Sequence, residues 1–125
     1  MISPLAHIHP AARLAPGVTV EPFTTIYGDV EIGENTVIHP YAKIRSDRGS
    51  VQIGKNCTVC EKAVVGITDG EGTVVIGDGV NIETGAQVEA AVVGDGTSIE
   101  VRAIIGKGAV LGKVGEYLGF VCRSA

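Results

Sequence analysis

The stretch IYGDVEIGENTVIHPYAKI, residues 26–44, carries an isoleucine at every sixth position: Ile26, Ile32, Ile38 and Ile44. A small residue, valine, threonine or alanine, lies four positions after each of the first three. Two inward apolar positions in six residues, separated by Gly, Asn or Pro, suit short strands joined by corners, and they do not fit the 3.6-residue period of an α-helix. The stretch therefore predicts a parallel β-helix built from six-residue repeats.

The same period extends in both directions from this stretch, with an aliphatic residue at every start. Three strands close a triangular coil of about eighteen residues, and stacked coils place each aliphatic side chain over its counterpart in the next coil. We predict an all-β, single-stranded β-helix over residues 1–114. The starts are Leu14, Ile32, Ile53, Ile76, Val93 and Leu111 on a first face, Val20, Ile38, Val59, Ile82 and Ile99 on a second, and Ile8, Ile26, Ile44, Val65, Val88 and Ile105 on a third.

The corner that follows the first face has a regular composition. Its third residue is always Gly or Asn, the two types that best tolerate a positive φ. We therefore predict one stacked column of left-handed turns, formed by Gly17, Asn35, Asn56, Gly79 and Gly96.

The interruptions of the period all fall on the third face. Extra residues follow Ile44 and Val65, and one residue is missing after Val88. We expect residues 45–50 and 66–73 to project as loops from one edge in adjacent coils, which is where solenoids usually carry their working surface.

Composition narrows the class of protein. The chain has 125 residues, 45% of them hydrophobic, and a net charge of −4, which argues against a surface that tracks nucleic-acid phosphates. It has no apolar run long enough to cross a membrane and no secretory leader, so we expect a cytoplasmic protein. Three cysteines, an odd number, fit a reducing compartment.

The residues able to do chemistry are few. His7 and His9 lie in the opening coil, where we interpret them as structural. In the pair Cys57 and Cys60 the first thiol is expected to point inward and the second outward, which is a poor redox or metal arrangement. We therefore assign no catalytic, cofactor-binding or metal-binding residue and expect no cofactor.

One outward column remains open to interpretation. Glutamate, histidine and cysteine in a line, at about 4.8 Å spacing, could bind a metal or activate a thiolate. An exposed column of turn residues is the alternative, and we favour it. The column consists of Glu21, His39, Cys60, Glu83 and Glu100.

Two segments resemble the γ-class carbonic anhydrases, which bind zinc through three histidines. Arg45-x-Asp47 before Val51-x-Ile53-Gly54 resembles that family's Arg-Gly-Asp segment and the coil after it. Residues 76–95 resemble its metal-bearing coils. In the register that this resemblance implies, the three zinc-ligand positions fall on Gly66, Thr84 and Glu89. Glycine offers no ligand atom and threonine is a poor one, so we expect no zinc site and a protein that is not an enzyme.

A longer resemblance spans about residues 17–111. Residues 28–44, with the segment Thr36-Val-Ile-His-Pro-x-Ala42, and the later run from Val93 to Gly106 resemble the dynactin subunit 6 family. That resemblance implies left-handed coils and a non-catalytic scaffold at the pointed end of dynactin, in the cytoplasm and cytoskeleton. It also implies contact with dynactin subunit 5 and other pointed-end subunits, in support of dynein-based transport along microtubules.

Two alternatives from another class stay open. The opening residues 1–10 resemble the acyltransferases that begin lipid A synthesis. A hexapeptide-repeat acyltransferase, or a degenerate carbonic anhydrase, is therefore the second interpretation.

The end of the chain departs from the repeat. Residues 115–125 show no six-residue register, so we expect an irregular tail there and a truncated C-terminus. An intron read through after Val114 would explain such a tail.

Overall fold

The computed structural model describes residues 1–89, 92–106, 108–111, 116–117 and 120–121, with the backbone alone at 47, 67–71, 116–117 and 120–121. These residues form strands and no helix, and all strand pairs are parallel. The strands are β1 (His7–Ile8), β2 (Arg13–Leu14), β3 (Thr19–Val20), β4 (Thr25–Ile32), β5 (Val37–Ile38), β6 (Lys43–Ile53), β7 (Thr58–Val59), β8 (Val64–Ile76), β9 (Asn81–Ile82), β10 (Gln87–Val88), β11 (Val92–Val93), β12 (Ser98–Ile99), β13 (Ile104–Ile105), β14 (Val110–Leu111), β15 (Glu116–Tyr117) and β16 (Phe120–Val121).

The predicted β-helix is confirmed: the chain is a left-handed parallel solenoid with six-residue repeats. The second face is a sheet of its own, in the order β15-β12-β9-β7-β5-β3. The third and first faces merge into one ten-stranded sheet. They merge because β4, β6 and β8 run without a break from the third face onto the first.

The register reproduces the predicted columns across every interruption of the period. On the first face Ile32 pairs with Ile53, Ile53 with Ile76, and Ile76 with Val93. These side chains form a continuous buried column, because inward residues of neighbouring strands lie about 4.8 Å apart.

The core is aliphatic on the faces and small at the corners. Buried aliphatic side chains such as Ile44 and Ile82 alternate with small buried residues such as Ala42 and Ala86. Buried threonine hydroxyls are satisfied by carbonyls: Thr36 donates to Gly54 O at 2.7 Å. The narrow core thus buries its aliphatic residues while the Thr36 hydroxyl at this corner keeps a hydrogen-bond partner.

The predicted loops at 45–50 and 66–73 are wrong. Both insertions stay extended within β6 and β8 and pair with each other, from Arg45 with Gly66 to Ser50 with Thr73, with one irregularity between Ser46 and Arg48. Two insertions in adjacent coils satisfy each other's backbone groups. The third face and the corner after it therefore form a wider continuous sheet and not a set of loops.

The predicted boundary at residue 114 stays a prediction, because most of residues 115–125 lie outside the described part of the chain. Two short strands beyond it are described. β15 continues the second face beside β12, and β16 continues the third face beside β13.

Candidate functional site

The outward column of the second face is formed as the sequence predicts. Glu21, His39, Cys60 and Glu83 each donate a backbone N–H to the last residue of the next coil's second-face strand, at 2.8–3.0 Å. Their side chains interact in two pairs. His39 Nδ1 lies 3.1 Å from Glu21 Oε1, and Cys60 Sγ donates to Glu83 Oε2 at 3.5 Å.

These two pairs differ chemically. The Glu21 carboxylate orients the imidazole of His39 and leaves Nε2 directed away from it, as a general base requires. Burial first, and then the hydrogen bond and negative charge of Glu83, raise the pKa of Cys60 to about 11. The Cys60 thiol therefore remains protonated at neutral pH, and it is a poor nucleophile.

The other described cysteine belongs to the core. Cys57 is buried, and its Sγ donates to Gly77 O at 3.0 Å. Burial raises the pKa of this thiol as well. The inward and outward orientations predicted for Cys57 and Cys60 are those observed.

The three zinc-ligand positions that the carbonic anhydrase resemblance implies are divided between the end of the third face and the corner before it. Gly66 and Glu89 directly follow the register partners Val65 and Val88, whereas Thr84 lies in the preceding corner. A Cβ on Gly66 would collide with the carbonyl oxygen of Arg45, so the backbone here demands glycine. Within the described residues no three His, Cys, Asp or Glu side chains are grouped closely enough to hold a metal ion.

The third face presents an aromatic and basic surface. The rings of His9 and Tyr27 meet edge to face at 4.9 Å, and His9 Nδ1 accepts the N–H of Ala11 at 3.1 Å. A shallow depression beside them is lined by His7, Thr25, Tyr27, Lys43 and Arg45. The opening-coil histidines therefore line an accessible surface.

Sequence reasoning missed the corner between the second and third faces. Its residues adopt positive φ in every coil from the second to the sixth, although only one of them is glycine. The repeated Pro-aromatic pairs at 22–23 and 40–41, at equivalent positions of two coils, are the signal that could have revealed it. The column is Phe23, Tyr41, Lys62, Gly85 and Arg102.

Comparisons with known proteins find similarity to hexapeptide-repeat proteins. Residues 11–46 match the family model described as bacterial transferase hexapeptide (six repeats). Dynactin subunit 6 of Xenopus tropicalis is 30% identical over 121 residues, which cover 89% of this chain and 60% of that protein. The chain thus spans about three fifths of the length of this curated relative.

Acyltransferases are also among the similar proteins. An acyl-[acyl-carrier-protein]–UDP-N-acetylglucosamine O-acyltransferase of Chlamydia pneumoniae is 35% identical over 65 residues, 52% of this chain and 22% of that protein. AntD, an N-acyltransferase from Bacillus cereus, superposes with a TM-score of 0.83 at 17% identity over 90% of this chain and 71% of its own. The second likeness concerns the fold alone.

The expectation that this chain is not an enzyme is wrong, because about half of the chain is 35% identical to an O-acyltransferase and its fold is that of an N-acyltransferase. That expectation depended on imidazoles missing from Gly66, Thr84 and Glu89. Those positions bear only on a zinc site, whereas acyl transfer needs a single base that can lie elsewhere on the solenoid.

In the described residues we find no helix with the length and hydrophobicity that crossing a membrane requires.

Proposed function

We propose that this protein is a subunit of a dynactin-type assembly. The observation that supports this most is the 30% identity with dynactin subunit 6 of Xenopus tropicalis across 89% of the chain. A match of that extent covers most of the solenoid, whereas the acyltransferase match extends over only 52% of the chain.

The geometry suits an assembly role. The described part of the solenoid is a stack of parallel strands, and the edge of such a stack can be a template for a partner strand. Its outward columns repeat once per coil, so a partner can make several equivalent contacts. In this proposal the chain works in the cytoplasm and cytoskeleton, contacts dynactin subunit 5 at the pointed end, and supports dynein-based transport along microtubules.

Co-expression tests this proposal. The full chain, without a tag, is expressed with affinity-tagged dynactin subunit 5 from the same organism, and the eluate is analysed by size-exclusion chromatography with light scattering. We expect co-elution in a defined stoichiometry. An unrelated hexapeptide-repeat acyltransferase, tagged in the same way, is the control. No complex at micromolar concentration, or equal retention by the control, would refute the proposal.

A second candidate is acyl transfer, and the His39–Glu21 pair favours it. His39 Nε2 would take the proton of an acceptor hydroxyl or amine as that group attacks the carbonyl of an acyl thioester. The thiol then leaves and receives the proton. Glu21 holds the imidazole in one orientation, 3.1 Å from Nδ1.

The test of this second candidate uses radiolabelled acyl-carrier-protein thioesters and UDP-N-acetylglucosamine. Transfer by the unmodified chain that falls by about a hundredfold or more in His39→Gln supports a general base at this position. His7→Gln is the matched control and should retain activity. Transfer that is unchanged in His39→Gln would exclude His39 as the base.

A further inference from the structure

Four outward side chains of the third face mark the corners of a rectangle. In the register of β4 with β6, Thr25 pairs with Lys43. Tyr27 pairs with Arg45 in the same register. Paired residues lie about 4.8 Å apart, and alternate residues of one strand lie about 6.7 Å apart. These four side chains line one depression of about 430 Å³, which His7 borders, and we call the rectangle the third-face cradle.

The third-face cradle offers two cations and two hydroxyl groups to a ligand. The Lys43 ammonium and the hydroxyls of Thr25 and Tyr27 make no hydrogen bond or ion pair with the residues that the structure describes. Arg45 supplies the second cation, and the described residues that line the depression include no carboxylate. Each corner of the rectangle can therefore donate a hydrogen bond, and the complement of such a donor set is an anion.

The composition of the chain does not explain this lack of carboxylates. The chain has fourteen Asp and Glu residues against ten Lys and Arg residues. On the neighbouring first face a cation is fully paired, because Arg13 lies 3.0 Å from Asp29 and 3.9 Å from Glu31. Lys43 instead lies beside a second cation, Arg45, on the same strand. Like charges at neighbouring positions repel each other, and an anion bound between them removes that repulsion.

The next coils confine an anion to the cradle. The fourth coil places Val64 and Gly66 in register with Lys43 and Arg45, so it adds no polar side chain. The fifth coil places Glu89 in a neighbouring depression on the same face. Glu89 lies two coils from Arg45, about 9.6 Å along the solenoid. An anion is therefore favoured over the cradle and disfavoured beyond Gly66.

A phosphate monoester matches this donor set better than a carboxylate does. It carries nearly two negative charges and three terminal oxygens, whereas a carboxylate has one charge and two oxygens. Above the centre of the rectangle, its oxygens can accept from Lys43, from Arg45 and from a hydroxyl at the same time. The Tyr27 side chain is 44% exposed, so its ring can contact the carbon skeleton of the ester.

We propose that the third-face cradle binds a phosphate monoester, either a free small molecule or a phosphorylated serine or threonine of a partner protein. Lys43 and Arg45 neutralise the phosphate, and the hydroxyls of Thr25 and Tyr27 donate hydrogen bonds to it. This inference depends neither on a dynactin role nor on acyl transfer, so its failure would leave both of those proposals unchanged.

Isothermal titration calorimetry of the full chain at low ionic strength tests the cradle. The probes are inorganic phosphate, glycerol 3-phosphate and a blocked glycine-phosphoserine-glycine peptide, and acetate is the comparison anion. We expect saturable one-to-one binding of the phosphate probes and no binding of acetate at the same concentrations. If the peptide binds more tightly than glycerol 3-phosphate, the ligand is a phosphorylated partner; otherwise it is a free ester.

Three variants assign the binding to the cradle. Lys43→Gln should weaken the binding of each phosphate probe by about tenfold or more, because it removes a charge-assisted hydrogen bond. Thr25→Val keeps the shape of the side chain and should weaken binding by about threefold. Lys55→Gln makes the same charge change at an exposed position of the corner after the first face, and it should have no effect. Circular dichroism checks that all three variants are folded.

Nuclear magnetic resonance locates the site without any variant. Glycerol 3-phosphate should shift the backbone amides of residues 25–27 and 43–45 and leave those of residues 54–56 unchanged. The absence of binding by every phosphate probe, or binding that Lys43→Gln does not weaken, would overturn the proposal. So would an equal loss in Lys55→Gln, acetate that binds as tightly as phosphate, or amide shifts that lie elsewhere.

Discussion

The two corners that bracket the second face share one backbone conformation but differ in residue type. The first corner places only Gly and Asn at its positive-φ position, with φ between 55° and 80°: Gly17, Asn35, Asn56, Gly79 and Gly96. The second corner has φ between 61° and 73°, yet four of its five residues are large: Phe23, Tyr41, Lys62, Gly85 and Arg102.

This difference shows that coil closure, not local preference, imposes the turn. Interstrand hydrogen bonds on both sides hold each corner in place; for instance, Gly79 N–H bonds to Lys55 O and Arg102 N–H to Thr84 O. The first corner lowers the conformational cost with Gly and Asn, whereas the second accepts about 1–2 kcal/mol for each non-glycine residue. As a result of this residue choice, the second corner directs a column of large side chains into solvent.

The largest loss of stability is expected from a variant that disrupts the first corner. Gly54→Ala places a Cβ against Asp78 Oδ1 and 2.6 Å from Gly77 O, both held in the next coil. We expect the free energy of unfolding to fall by about 3 kcal/mol or more. The matched variant Gly85→Ala, in the second corner, meets only the flexible Arg102 Cγ at 3.3 Å and should lose about 1–2 kcal/mol. Urea unfolding measures both, and equal losses would refute the comparison.

Exchanging residues between the corners should have a smaller effect of opposite sign. Asn56→Lys should lower the free energy of unfolding by about 1 kcal/mol, and Lys62→Asn should raise it by about the same amount, because asparagine tolerates positive φ better than lysine. The double exchange should be close to neutral. Thermal unfolding of the three variants measures these changes. An Asn56→Lys variant as stable as the unmodified chain would show that asparagine does not stabilise the first corner.

The rings of Phe23 and Tyr41 in the second corner stack at 5.4 Å and should contribute a modest coupling. In a double-mutant cycle with Phe23→Asn and Tyr41→Asn, the coupling free energy should be about 0.5–1.5 kcal/mol, as for stacked aromatic pairs. Urea unfolding of the unmodified chain, the two single variants and the double variant measures this coupling. Strict additivity would mean that the two rings contribute independently.

The smallest effect concerns the thiols beside the two corners, measured in a Cys122→Ser background. Cys57 follows the first corner and is buried, so it should react with a thiol reagent only after unfolding. Cys60 precedes the second corner and should react slowly at pH 8, with a rate that rises towards its pKa of about 11.

Glu83→Gln should accelerate the reaction of Cys60, because it removes a charge that raises the pKa, and should leave Cys57 unchanged. The stability that the protonated Cys60 contributes is complete below pH 9 and is lost as the pH rises through about 11. A Cys60 that reacts at pH 8 as fast as a free thiol would contradict this account.

The period of the sequence was enough to predict all three core columns and the first corner. Inward aliphatic residues recur at a fixed spacing, and Gly or Asn at a corner reports positive φ directly, so both features are local. The outward alignment of Glu21, His39 and Cys60 could be predicted from the same six-residue period. Which side chains pair within that column did not, since this depends on rotamers that neighbouring coils select.

The tertiary structure alone decided two further features. The insertions in β6 and β8 lie one coil apart, and they became strands because each supplies the backbone partners that the other lacks. Phe23 and Tyr41 show no local preference for a left-handed turn, yet the coils above and below hold them in it. A sequence pattern records what a residue prefers, whereas the stacked hydrogen bonds of the solenoid determine what it must adopt.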